Sequence, residues 1–171
     1  MLKTYSIIFS LIFFNLSAEI IQKVNISGND RISKETIKVY GDINIGKDYS
    51  SFDINKILKS LYGTEFFEDI KITLSNGVLN ISVKEYAMVN SIDFQGEKSN
   101  TIKNDIIDKL SLKEKGSFIE SKITQDINLI KKIYASIGFN FVSVEAKIEK
   151  FENKRINLVY FLDKGGRTSI S

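Results

Sequence analysis

The sequence contains no cysteine and no histidine. Their absence excludes disulfides, thiolate chemistry, zinc sites of the usual Cys/His type and every histidine-based catalytic triad. Proline and tryptophan are absent too, so turns must be built from Gly, Asn, Asp and Ser, and element boundaries fall where those residues cluster. What remains has globular composition: 43% hydrophobic and 26% charged residues over 171 positions argue against disorder and for one ordinary domain or two small ones. Basic and acidic residues are interleaved without a Lys/Arg stripe, so nucleic acid is not an expected partner.

At the N-terminus, Lys3 precedes an apolar run from Ile7 to Leu16 that is broken by Ser10 and Asn15, and Ser17-Ala18 stand before the first acid. This is a secretory signal pattern over residues 1–18, with cleavage expected after Ala18. The run is shorter than the roughly 20 apolar residues that span a bilayer comfortably. An uncleaved anchor is the alternative, because Leu16 is larger than the residue usually found three positions before the cut. Removing the segment takes away only Lys3, so the formal charge falls from +3 to +2, 23 basic against 21 acidic residues.

Laid over itself, the chain repeats. Val24-Asn25-Ile26-Ser27-Gly28 matches Ile92-Asp93-Phe94-Gln95-Gly96 at an offset of 68, each an alternating strand that ends at a glycine. Leu58, Leu61, Tyr62, Phe67 and Ile70 match Ile130, Ile133, Tyr134, Phe139 and Val142 at an offset of 72. In the first copy, Ile32-Ser33 before Ile37 predicts a capped short helix that Gly41 stops, and Ser50 to Asp53 reads as a capping box for a second helix ending at Gly63. Ile70, Ile72 and Leu74 alternate with polar residues, Asn76-Gly77 makes a type I′ hairpin turn, and Leu79, Ile81 and Val83 alternate in turn.

The second copy follows the same order. Ile102, Ile106 and Leu110 lie on a short helix, and Ser117 to Glu120 reads as a capping box. Ile119, Ile123, Ile127, Ile130, Ile133 and Ile137 form a stripe expected to face the core. Val142 to Ile148 alternate, a turn falls at Glu152-Asn153-Lys154, and Ile156 to Leu162 is the last strand. The expected fold is α+β: a tandem of two βααββ modules, residues 19–86 and 87–165, each a three-stranded sheet with two helices on one face. Residues 166–171 would begin a further module. The last strand, apolar on both faces over Leu158 to Leu162, suits a central position. The polar-alternating second strand is then an unpaired edge, open to another extended chain.

Catalytic readings are weak. Gly41 to Asp48 matches a phosphate-binding loop except that Asp48 replaces Ser or Thr, and it follows a helix instead of a strand, so an inter-helix turn is the better reading. Glu68-Asp69 are neighbours on a strand and point to opposite faces. Ser121-Lys122 are neighbours on a helix and do not face each other. Phe139 and Phe141 fall on the polar-alternating face of the second edge strand, where they either pack between modules or receive apolar side chains of a partner.

These segments resemble the polypeptide-transport-associated (POTRA) domains of outer-membrane protein assembly factors. The resemblance is carried by Val24 to Arg31, Gly46 to Ser50 running into Asp53-Ile54, Leu61 to Ile70 and Val83-Lys84-Glu85, and in the second copy by Ile92 to Lys98, Lys115-Gly116-Ser117, Tyr134 to Phe139 and Leu162 to Gly165. It implies a segment facing the periplasm at the outer membrane, with no cofactor and no catalytic residue. The implied partners are unfolded outer-membrane proteins, accessory lipoproteins of the assembly complex and periplasmic chaperones. Contact with the membrane would be only through a barrel missing from this chain. The implied docking mode is strand addition along the second strand, which maps to Asp69, Lys71 and Thr73 and to Phe141, Ser143, Glu145 and Lys147. A related transporter with the same modules, in two-partner secretion or in translocation and assembly, is the alternative, and an exported hydrolase is the competing class. Tyr86 and Ala87 stand where relatives commonly carry a proline, so the joint between modules is expected to be less stiff.

Overall fold

The computed structural model describes residues 18–166. The expected signal peptide lies outside them up to Ser17, and so does residue 167 onward. Among the described residues no helix is long and apolar enough to cross a membrane. The chain divides into two compact units, one reaching to Gly63 and including Ile70–Val83, the other holding Thr64–Asp69 and everything from Lys84.

The first copy runs β1 (Glu19–Ile20), β2 (Lys23–Ser27), α1 (Lys34–Tyr40), β3 (Asp48–Tyr49), α2 (Ser51–Gly63), β4 (Phe67–Ser75) and β5 (Val78–Glu85). The second runs β6 (Met88–Gln95), α3 (Asn100–Lys109), α4 (Ser121–Ser136), β7 (Ser143–Phe151) and β8 (Arg155–Asp163). The sheets are ordered β2-β5-β4 and β6-β8-β7, with the last strand central in each. First and last strands are parallel, from Lys23↔Val78 to Ser27↔Ser82 and from Met88↔Arg155 to Gln95↔Phe161. A parallel pair cannot be closed by a tight turn, so the helix pair supplies the crossover.

Local chemistry explains most boundaries. The Ser33 hydroxyl accepts from the Thr36 amide at the start of α1. At α2 the capping is reciprocal: the Ser50 amide donates to Asp53 at 2.9 Å and the Asp53 amide to Ser50 Oγ at 3.3 Å, and the Ser50 bonds hold the Asp53 carboxyl below the usual range. Asn76 and Gly77 both take positive φ, 52° and 72°, as a type I′ turn requires. Gly28 and Gly96, at φ 80° and 90°, end β2 and β6 so close to the central strand that a Cβ would stand 2.0 Å from the Val83 carbonyl oxygen and 1.9 Å from that of Leu162. Only glycine fits there.

The second core joins Val89, Ile92 and Phe94 of β6, Ile106 of α3, Ile130 and Tyr134 of α4, and Leu158, Tyr160 and Leu162 of β8. Phe94 and Tyr160 stack at 5.5 Å. The helix stripe differs from its expected composition: Asp126, Ile130 and Tyr134 are its fully buried members, Ile119 precedes the helix, and Ile137 is exposed.

Ser117 does not cap α4. The helix begins at Ser121 with Glu120 at the cap and no side-chain bond. Ser117 is bridged to Met88 instead, and the Phe118 amide donates to Ala87 O at 2.7 Å. The same pairing in the first copy is the two-stranded β1-β3 sheet, Ile20↔Asp48, so Ser117 occupies the place of Asp48 and not that of Ser50. Around this pairing the copies agree closely. Ile21 exchanges backbone bonds with Gly46 and Lys47, as Val89 does with Lys115 and Gly116. Gly46 and Lys115 hold the same left-handed place at φ 86° and 63°.

Glu68 and Asp69 are both exposed, between buried Phe67 and Ile70, so the alternation slips by one residue there and the two acids do not divide between faces.

Candidate polypeptide-docking edges

Each three-stranded sheet has two outer strands, and they differ in how their free backbone groups are used. On β6, Val89 and Met88 pair outward with Gly116 and Ser117, and the Glu114 carboxylate accepts from the Ile92 amide at 3.0 Å. That edge is covered by the loop before α4. On the opposite side β7 pairs inward with β8 from Ser143↔Asp163 to Phe151↔Arg155, and among the described residues no backbone pairs with its outer side. Ser143, Glu145 and Lys147 are exposed along β7, whereas Val144 is buried. Phe141 is not on the strand: it lies in the turn before it, 75% exposed. Phe139 is in the same connection and packs edge-on against Tyr134 at 6.2 Å. The chain leaves α4 through Gly138 at φ 93°, and this turn interrupts the period-two pattern that would have put both rings on the strand.

In the first copy β4 is the corresponding edge, and Asp69, Lys71 and Thr73 are exposed on it. Its backbone is partly occupied. The Ile70 amide donates to the Tyr62 hydroxyl at 3.1 Å, so the N–H turned away from β5 is capped by a side chain from α2. Tyr134, the counterpart of Tyr62, does something else. Its hydroxyl donates to the buried Glu97 carboxylate, which also accepts from the Ser99 amide at 2.7 Å and pairs with Lys164 at 2.8 Å. The residue at Glu97's place in the first copy is Asn29, whose amide is bonded to Ile32 O.

The electrostatics of that cluster are one-sided. Burial alone would raise the Glu97 carboxyl, but the bonds from Lys164, Tyr134 and Ser99 outweigh it and hold the group down at about 2. Burial first, then Glu97, push the Tyr134 hydroxyl well above its ordinary range. A second buried acid, Asp126, accepts from the Ser111 amide at 2.6 Å, the Leu112 amide at 3.0 Å and the Tyr160 hydroxyl at 3.3 Å. It ties the α3–α4 connection to the central strand. In the first copy the α1–α2 connection is braced within itself: the Tyr49 hydroxyl donates to Asp42 O at 3.0 Å and accepts from the Asn44 amide at 2.9 Å.

These polar anchors do not stand out in the sequence. Asp126 has a usable signal, an acid in the middle of the Ile123, Ile127, Ile130 stripe. Glu97 has none, because its partners Tyr134 and Lys164 are remote in sequence.

Two copies of one small module, each with a helix-covered face and an outer strand, define a tandem-repeat scaffold whose accessible features are sheet edges. Residues 87–165 match the POTRA family, described as surface antigen variable number repeat. The second of the two βααββ modules is thus the one that matches this family. The chain is similar to the outer membrane protein assembly factor BamA of Neisseria meningitidis serogroup B (strain ATCC BAA-335 / MC58), 26% identical over 155 residues, which cover 88% of this chain and 19% of the relative. It is also similar to BamA of Neorickettsia risticii (strain Illinois), 20% identical over 82% of this chain and 19% of that protein. Among solved structures it shares its fold with the N-terminal domain of Omp85 from Thermosynechococcus elongatus, with a TM-score of 0.55 and 13% identity over 84% of this chain and 63% of the other. The chain thus spans about a fifth of the length of the curated relatives it matches.

Proposed function

We propose that this chain is the periplasmic polypeptide-receiving region of an outer-membrane β-barrel assembly factor, taking unfolded outer-membrane proteins by strand addition. The observation that carries this is the asymmetry of the second sheet, whose β6 edge is covered by its own loop while β7 is left open. An open edge supplies a row of backbone donors and acceptors that pairs with any extended chain irrespective of its sequence. A receiver of many different unfolded substrates needs that tolerance. The similarity to BamA over most of the chain supports the same reading. Asp69, Lys71 and Thr73 on β4, with Ser143, Glu145 and Lys147 on β7, line the edges, and Phe141 stands at the entry to the second. Accessory lipoproteins and periplasmic chaperones are the further partners of this reading, the segment works on the periplasmic side of the outer membrane, and its role is binding and hand-over.

The test is a titration of the isotope-labelled chain with an extended peptide from an unfolded outer-membrane protein, followed by amide chemical shifts. Shifts concentrated on residues 143–149 are expected. Shifts confined to α3 and α4 would overturn the proposal.

A further inference from the structure

The face of the second sheet turned away from its helices is not uniformly polar. Val159 and Phe161 of β8 lie on it, and Phe161 remains 37% exposed. The register sets its neighbours: Gln95 on one side, Glu145 on the other, with Ser143 opposite Asp163 one step along. Directly paired residues on one face have their Cβ atoms about 5 Å apart, so these side chains form one surface. Together with the glycine that ends β6 they line a groove of about 480 Å³ that opens beside β7.

Its charges are unbalanced. Of those along β7, Lys147 is paired with Glu149 at 3.2 Å, whereas Glu145 has no ion-pair partner among the described residues. Among the described residues the Asp163 carboxylate accepts only from the backbone amide of Gly165, at 3.1 Å. The lysine next to it in sequence, Lys164, is drawn to Glu97. The groove is therefore anionic with an aromatic floor, a surface that suits a long basic side chain lying with its stem on Phe161 and its head at Glu145 and Asp163. One further ring completes the face. A Cβ on Gly165 would stand 3.8 Å from that of Phe141, so the residue across from Phe141 has no side chain to cover it, which accounts for its exposure.

We infer that the β7 edge selects the strands it receives by charge and register, favouring an Arg or Lys at the level of Glu145 and an apolar side chain beyond the start of β7, toward Phe141 in the turn before it. This rests on the strand-addition reading and adds to it which unfolded segments are taken. An acidic residue at the Glu145 level would face a like charge directly across the strand pair.

Two extended peptides, identical except for Arg or Glu at one position and carrying Phe further along, are titrated at low salt into the isotope-labelled chain and into its Glu145→Lys variant. The Arg peptide is expected to bind the parent chain about three- to fivefold more tightly than the Glu peptide, the ratio of a partly exposed ion pair. Glu145→Lys should reverse the preference. Equal affinities with shifts along residues 143–149, or a preference unchanged in the variant, would refute charge selection and leave edge docking standing. No shift on β7 with either peptide would refute both.

Discussion

Replacing Glu97 by Gln tests the polar clamp at the end of the second module. The substitution keeps the shape, removes the charge, and leaves one acceptor oxygen in place of two, so with that oxygen turned to Tyr134 the Ser99 amide loses its acceptor. Glu97 is 5% exposed and receives Lys164, Tyr134 and the Ser99 amide. Holding the carboxyl at about 2 instead of its ordinary 4.5 corresponds to about 3 kcal/mol in favour of the folded state, at roughly 1.4 kcal/mol per pH unit. That figure is a ceiling, because Lys164 is 30% exposed and its share is screened by solvent. The variant is therefore expected to lose about 1–3 kcal/mol at neutral pH. The sign of the pH dependence follows from the depressed folded value. The contribution is complete above the unfolded value near 4.5 and is lost as pH falls from there through about 2. Urea denaturation from pH 7 to pH 2.5 reads this directly: the parent chain should show the stability difference at neutral pH and converge on the variant in acid. Curves that stay parallel down to the lowest pH would refute the assignment of the clamp to the Glu97 charge.

Other substitutions probe the remaining devices. Gly96→Ala should cost about 3 kcal/mol or more, since a Cβ meets the Leu162 carbonyl at 1.9 Å and φ is 90°, whereas Gly46→Ala, with open space around it, should cost only the left-handed backbone term of about 1–2 kcal/mol; thermal melts of the two variants compare these. Lys115→Gly, at φ 63° in the matching place, should be neutral or stabilise by up to about 1 kcal/mol by the same measurement. Asp126→Ala leaves two backbone donors unpaired and should cost about 2–4 kcal/mol in urea denaturation, against about 1 kcal/mol for Tyr160→Phe, which removes a single longer bond. Tyr62→Phe frees the Ile70 amide, whose hydrogen exchange should then accelerate while the rest of β4 keeps its protection.

What can be read from the sequence depends on how far apart the deciding groups lie. The Ser33 cap, the Ser50–Asp53 box and the Asn76-Gly77 turn are settled within three or four residues, and the structure has them as expected. The central place of the last strand follows from its two apolar faces. Ser117 has the same local pattern as Ser50, yet its role is set by Met88 in another strand, which no local rule sees. Alternation carried through the turn after α4 would put Phe141 on β7, but the backbone breaks the pattern at that turn. The outer strands β4 and β7 are visible as a polar alternation. What spacing does not reveal is that one of the two edges is already capped by a tyrosine.

That difference bears on how a repeated module diversifies. A sequence overlay treats Tyr62 and Tyr134 as the same residue, yet Tyr134 is fully buried whereas Tyr62 is 41% exposed, and the buried stripe of α2 is Ile57 and Leu61 where that of α4 is Asp126, Ile130 and Tyr134. Their hydroxyls have different partners, the Ile70 amide in one copy and the Glu97 carboxylate in the other, and the residue after the strand-ending glycine differs too, Asn29 in the first copy and Glu97 in the second. The core differs with them, since Tyr134 is a fully buried member of the second core while in the first copy Leu61 is buried and Tyr62 is exposed. The helix residue that is buried and the polar residue after the first strand therefore differ together between the copies, while the strand order stays the same. A chain of such modules can keep one architecture while its successive edges differ in what they admit.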